Sequence, residues 1–207
     1  MNLLKMYNSK FYEIFYYRLF SNAIVLRQKD TILGSIYAKI MKWPEIVQIQ
    51  NGKYSLLLPR SYAKIQINEY DMWKKWYGNN FDGMTVLDVG AGAGETASFF
   101  FNHGAKKVIA FEINHLAIDY LWKNAQRNNW NIAIYGREFT HFDLAIPHDY
   151  SKFDIEGGEK ILLKYKGELG KCSMELHPEV IGKRNVQLLI ERFGLQPIMK
   201  PRVWGIA

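Results

Sequence analysis

The chain has 207 residues, 48% of them hydrophobic and 15% aromatic, enough for one sizeable core and too apolar for a disordered protein. Its net charge is +7, and the whole excess falls in residues 1–78, which hold 12 Lys and Arg against 5 Asp and Glu. A single cysteine, Cys172, excludes an intramolecular disulfide and suits a reducing cytoplasm, and no apolar run approaches the roughly 18 residues of a membrane span.

Residues 3–26 place Leu3, Leu4, Tyr7, Phe11, Ile14, Phe15 and Leu19 at three- and four-residue steps, the pattern of an amphipathic helix with an aromatic stripe. Core or dimer packing is the plain use of such a stripe, and an interfacial membrane helix is the alternative, given its basic residues. Residues 46–58, IVQIQNGKYSLLL, alternate around Asn51-Gly52 and predict a β-hairpin. Asn68 is then the expected cap of a helix running to Trp76, and Gly78-Asn79-Asn80 closes this segment. The basic excess points to an anionic partner (nucleic acid, a phosphorylated small molecule or an anionic lipid surface) or else to a solvated basic face.

From residue 84 the rhythm becomes strand, glycine turn, helix, strand. MTVLDVG, KVIAFEI, NIAIYG, YSKFDI and KCSMELH read as strands; GETASFFFNHG, HLAIDYLWKNAQRNN, GEKILLKYK and PEVIGKRNVQLLIERFG read as helices; LQPIMKPRVWGIA adds a final hairpin. Such alternation predicts an α/β fold, a doubly wound and mostly parallel Rossmann-like sheet, over residues 79–207. Residues 1–78 form an N-terminal helix and β-hairpin extension.

Ligands of such sheets bind at the carboxyl ends of the strands. The first strand ends in Asp88-Val89-Gly90-Ala91-Gly92-Ala93-Gly94-Glu95, and the second in Glu112, placed where a carboxylate can accept hydrogen bonds from a ribose diol. Gly92-Ala93-Gly94-Glu95-Thr96-Ala97 fits a nicotinamide dinucleotide frame, but Glu95 would then face a pyrophosphate at the helix start. A cationic cofactor suits the acidic surroundings better, which selects a sulfonium.

The run D-V-G-A-G-A-G-E followed by F-E-I resembles class I S-adenosylmethionine-dependent methyltransferases over roughly residues 84–180. A-F-E-I-N with K-N-A-Q-R-N-N, then F-D-I-E-G-G-E and M-E-L-H-P, resemble the FkbM-type O-methyltransferases within that superfamily. The resemblance implies S-adenosyl-L-methionine as cofactor. It implies Asp88, Gly90, Ala91, Gly92 and Gly94 around the methionine part, Glu112 at the ribose and Ile113 against the adenine. Glu138 lies near the adenine amino group, with Asp143 as the alternative, and Asp154 sits beside the transferable methyl.

Methyl transfer to a hydroxyl needs positioning and a proton acceptor. Asp154, Glu156 and His177 are the catalytic candidates, because the fourth and fifth strands end at one edge. Alternation puts Asp154 and Glu156 on one side if the strand extends that far. Glu156 and Glu159 also suit the first turn of a helix. Asp154 and Glu156 could hold Mg²⁺, but the run is no calcium loop and His141 and His148 alone among the histidines hint at ligand spacing, so no resident metal is expected. Nucleobase amino methyltransferases often show N/D-P-P-Y where this chain has D-I-E-G, and Cys172 is too early in its strand to serve a pyrimidine C5 mechanism. An oxygen of a small molecule or glycan is the expected acceptor. RNA, reached through the basic first third, is the alternative, as is a non-catalytic RNA- or nucleotide-binding module on the same fold.

Overall fold

A computed structural model describes residues 24–27, 45–199 and 203–206. The expected helix over 3–26 lies outside these residues except at its end, where Ile24–Arg27 form strand β1 instead, parallel to β2 (Ile46–Asn51). The backbone ladder with Val47 and Gln48 secures that extended form. Strand β3 (Tyr54–Pro59) completes the expected hairpin, with Asn51 opposite Tyr54 and a two-residue turn between them. Val47, Ile49, Leu56 and Leu58 are fully buried, each stabilising the fold by roughly 1.5–3 kcal/mol.

Helix α1 spans Arg60–Trp76, so Asn68 lies mid-helix and exposed, and the expectation that it caps the helix is corrected. The helix starts directly after Pro59, whose ring pre-sets φ at −54°. Ala63, Ile67, Trp73 and Trp76 bury a stripe, and the helix that carries it begins eight residues before Asn68. Packing of an amphipathic face outweighs a local cap preference.

The main sheet has the order β6-β5-β4-β7-β8-β10-β9. Its strands are β4 (Thr85–Val89), β5 (Lys107–Phe111), β6 (Ile132–Tyr135), β7 (Tyr150–Phe153), β8 (Cys172–Glu175), β9 (Gln196–Met199) and β10 (Val203–Ile206). The first five pair in parallel, and β10 lies antiparallel between β8 and β9. Helices α2 (Glu95–Asn102) and α3 (His115–Arg127) follow β4 and β5. The predicted helix after β7 is a 3-10 segment, Gly158–Lys164, and the one after β8 breaks at Gly182 into α4 (Pro178–Ile181) and α5 (Lys183–Phe193).

Alternation along the strands feeds two cores. Val86, Val108, Ala110 and Tyr150 join the face covered by α1, α2 and the hairpin, while Leu87, Val89, Ile109, Phe111 and Phe153 join the face covered by α5. The hairpin thus shares one hydrophobic core with the sheet.

A neutral clamp ties the two together. Asn124 of α3 accepts from Leu57 N (2.7 Å) and donates to Leu57 O and to Ala93 O (both 2.9 Å). One turn later Asn128 exchanges two 3.0 Å bonds with the backbone of Ser55. The two amides stand in for a neighbouring strand along the outer edge of β3, leaving no ladder groups there for another chain to pair with.

Candidate active site

The strands β4, β5, β7 and β8 bring their carboxyl ends to one edge of the sheet. At β4 the chain turns through Gly90, Gly92 and Gly94, with φ of 80°, 56° and 99°. Gly90 and Ala91 donate to Phe111 O at the top of β5 (2.9 and 3.1 Å), and Asp154 N donates to Val89 O (3.0 Å). A Cβ on Gly90 would run into the carbonyl of Asp154, so only glycine permits β4 and β7 to lie this close beneath the loop.

Glu112, just after β5, pins the loop from the other side. Its Oε2 accepts from Gly92 N, and its Oε1 from Ile113 N and Asn114 N, all at 2.8 Å. Oε2 keeps an acceptor direction that a ribose hydroxyl can use. Glycines that leave room beside the backbone and a carboxylate at their flank fit an S-adenosylmethionine nucleoside.

Asp88 is fully buried beneath this loop. Its Oδ2 accepts from Thr96 Oγ1 (2.6 Å), and its Oδ1 lies 3.2 Å from Lys152 Nζ. Asp88 and Lys152 are register partners on adjacent strands, which is why they meet. Lys152 also donates to Gly90 O (2.6 Å), and burial of its ammonium is overcome by Asp88 and Asp154, which hold its pKa above the ordinary value. Sequence reasoning passed over this lysine; a charged residue inside the buried strand Y-S-K-F was the signal. Asp88 therefore acts first as the internal counterion that sets the loop. Glu95 is buried as well, accepts from Ala93 N (2.9 Å), and burial pushes its carboxyl up to about 8. The acidity counted around the loop in the sequence is thus partly neutralised from below.

At the end of β7 the strand stops at Phe153, and Glu156 adopts a φ of 50°, 85% of its side chain exposed. Asp154 and Glu156 consequently do not share a strand face. They meet around His177 instead, which follows β8. His177 Nδ1 lies 2.7 Å from Glu159 Oε1, inside the protein, and since a carboxylate only accepts, Nδ1 carries the proton. Its Nε2 is 3.5 Å from Glu156 and 3.9 Å from Glu175. The Glu159 bond, opposed by burial and aided by Asp154 and Glu156, raises the imidazole to about 9. Glu159 combines the expected first-turn position, where its Oε1 accepts from Gly157 N (3.1 Å), with a contact to His177 that no local pattern reveals.

Helix α1 brings Tyr62 and Glu69, two residues that sequence reasoning did not single out, within electrostatic reach of this edge. Burial and the carboxylates of Glu112 and Glu95 push the Tyr62 hydroxyl up to about 12. Burial, and then Asp154, raise the Glu69 carboxyl. Asp143, the alternative expected near the adenine, is occupied: Arg137 grips it at 2.6 and 2.9 Å, and Thr140 adds two more bonds. Glu138 remains exposed, as does Ile113, whose side chain is 66% accessible.

No protein-family model matches the chain, and no curated protein sequence matches it. Solved structures do. The 16S rRNA N2 G1207 methyltransferase RsmC of T. thermophilus, in complex with AdoMet and guanosine, is 18% identical with a TM-score of 0.53. That match covers 77% of this chain and 48% of the other. TYW2 of M. jannaschii, in complex with AdoMet, is 19% identical over 80% of this chain and 85% of the other, with a TM-score of 0.51. The fold is that of the class I S-adenosylmethionine-dependent methyltransferases. In this methyltransferase fold the glycine loop after β4 and the acid after β5 occupy the edge described above, and Asp154 and His177 stand at the neighbouring strand ends. Among the described residues no helix is long and apolar enough to cross a membrane.

Proposed function

We propose that the protein is an S-adenosylmethionine-dependent methyltransferase, of FkbM type, that methylates a hydroxyl of a small molecule or glycan in the cytoplasm. The observation that carries this reading is the His177–Glu159 pair set beside Asp154, one strand end from the glycine loop. When bound, the cofactor supplies a methyl group on a cationic sulfur and leaves as the neutral thioether. Gly90 to Gly94 give it backbone room, Glu112 receives the ribose, Ile113 covers the adenine, and Glu138, free where Asp143 is engaged, meets the adenine amino group. Asp154 borders the methyl. The acceptor oxygen would sit between Asp154 and His177, oriented by the imidazolium that Glu159 holds, and would give its proton to the Asp154 carboxylate as the C–O bond forms and the C–S bond breaks. A positioned proton acceptor of this kind contributes roughly 10²–10⁴-fold. Tyr62 and Glu69 bring helix α1, from the expected 1–78 extension, to the acceptor side of the expected 79–207 domain.

Titration calorimetry with S-adenosylhomocysteine and with NADH tests the cofactor. Heat with the first alone, lost in Glu112→Gln, is the expected result; binding of NADH instead overturns it. A screen of hydroxyl acceptors then tests the transfer.

An RNA acceptor is the second reading, supported by the basic excess of residues 1–78 and by the rRNA substrate named for the T. thermophilus relative. Against it, Glu69, Asp154, Glu156, Glu159 and Glu175 gather at the acceptor edge, which repels bare phosphate. Filter binding to a tRNA pool decides: steep weakening with salt favours RNA, and a flat, weak response removes it.

A further inference from the structure

Among the described residues, Asp154, Glu156, Glu159 and Glu175 gather around His177 at the acceptor edge. Lys152 is bound to Asp88 and Gly90 O and stands 3.9 Å from Asp154. Asp154, Glu175 and His177 each present one donor atom, and all three atoms lie within 4.8 Å of one another. Asp154 is 28% exposed and the Glu175 side chain 15%, so the group opens to solvent without being loose. Ligands on opposite sides of a cation about 2.1 Å from each are about 4.2 Å apart, so a small rotation of one side chain closes the set.

Two further features fit a cation. Metal-bound imidazoles almost always donate their other ring N–H to a carboxylate, which fixes the tautomer and aims the ligating nitrogen. Glu159 does this to His177 through Nδ1, leaving Nε2 towards Glu175. In addition, Glu159 Oε2 is buried with no hydrogen-bond partner among the described residues, a polar atom left over next to the same imidazole.

We propose that Asp154, Glu175 and His177 Nε2 hold a divalent cation at the acceptor edge. Two carboxylates and one imidazole favour an ion of the Mn²⁺ kind over one that demands thiolates. Glu156, 3.5 Å from the same nitrogen and flexible at the surface, is a fourth oxygen donor within reach. The set differs from an Asp154–Glu156 pair, because β7 ends before Glu156 and the cluster is assembled by β8 instead. The cation takes the place of the Nε2 proton. Its role rests on the acceptor-oxygen reading: a hydroxyl bound to it loses its proton more readily, and the carboxylate field that repels a bare anion is neutralised.

The test is a titration of the full chain, free of cofactor, with MnCl₂, followed by the loss of the free Mn²⁺ electron paramagnetic resonance signal. One equivalent bound is the expected result, weakened at least about tenfold in Glu175→Gln and Asp154→Asn, and about 10–100-fold in Glu159→Gln, which touches only the orienting shell. Thermal melts show that each variant is folded; Asp154→Asn, partly exposed and isosteric, serves where a buried variant does not fold. No uptake by the wild type, or equal affinity in wild type and folded variants, overturns the proposal. S-adenosylhomocysteine binding by the same preparation keeps the two readings apart. Cofactor product bound without Mn²⁺ leaves the methyltransferase reading and removes the cation. Mn²⁺ bound without cofactor product keeps the cation site and removes the methyltransferase reading.

Discussion

The seam between the hairpin and α3 and the edge where β7 and β8 end are both built from polar side chains, in opposite ways. At the seam Asn124 and Asn128 are neutral, and their donors and acceptors meet backbone groups of matching geometry. At the edge Asp154, Glu159, Glu175 and His177 are ionisable, crowded, and leave one carboxylate oxygen without a partner. A saturated amide network holds two elements in one arrangement and has nothing left for a ligand. A crowded, partly satisfied cluster costs stability by itself and repays it when a proton, substrate or ion completes it. The glycine loop joins the two, through Ala93 O on one side and the Asp154 carbonyl on the other.

The strongest way to break the contrast is at that junction. Gly90→Ala should abolish S-adenosylhomocysteine binding and lower the melting temperature sharply, because a left-handed φ costs a non-glycine residue roughly 1–3 kcal/mol before the clash with Asp154 is added. Calorimetry and a thermal melt measure both. Retained binding would mean that the loop does not depend on this close approach.

Next in size is the seam. Asn124→Ala should destabilise the chain by about 3 kcal/mol in urea unfolding, since it strands Leu57 N–H, Leu57 O and Ala93 O, and it should weaken cofactor binding as well. Asn128→Ala, on a half-buried side chain that serves Ser55 and the Asn124 carbonyl but not the loop, should cost about 1 kcal/mol and leave the cofactor unaffected. Equal effects from the two would deny Asn124 its link to the loop.

The smallest effect separates charge from incompleteness. Asp143 is charged yet saturated, and Arg137 and Thr140 hold its pKa down at about 2. A depressed carboxyl contributes stability that is fully present above its unfolded value of about 3.9 and lost as pH falls towards 2. Asp143→Asn should therefore lose that contribution in full above about pH 3.9, pH 7 included, and fall less and less short of the wild type as pH drops towards 2. Acid unfolding followed by circular dichroism reads it.

Much of the sheet was legible because parallel strands covered on both faces read as short apolar runs, and each helix start carries a visible mark: Gly94 before α2, and Asn114, whose side chain accepts from Ala117 N, before α3. The glycine loop and Glu112 were legible for the same local reason. Elements decided at a distance were not. The start of α1 depends on where the hairpin places its buried stripe. Glu159 showed as a first-turn acid, while its partner His177 lies 18 residues on, across a strand. Lys152 was visible only as an oddity within an apolar strand, since its pairing with Asp88 needs the adjacency of β4 and β7.

The Asn124 clamp has one more consequence, for synthesis. Leu57 leaves the ribosome 67 residues before the amide that completes its edge. At about 5–20 residues per second, the hairpin waits roughly 3–13 s with its outer ladder open. During that interval the nascent chain carries an unpaired strand beside apolar Leu56 and Leu58, so newly made protein, rather than the finished fold, is where this molecule is most exposed to mispairing and chaperone capture.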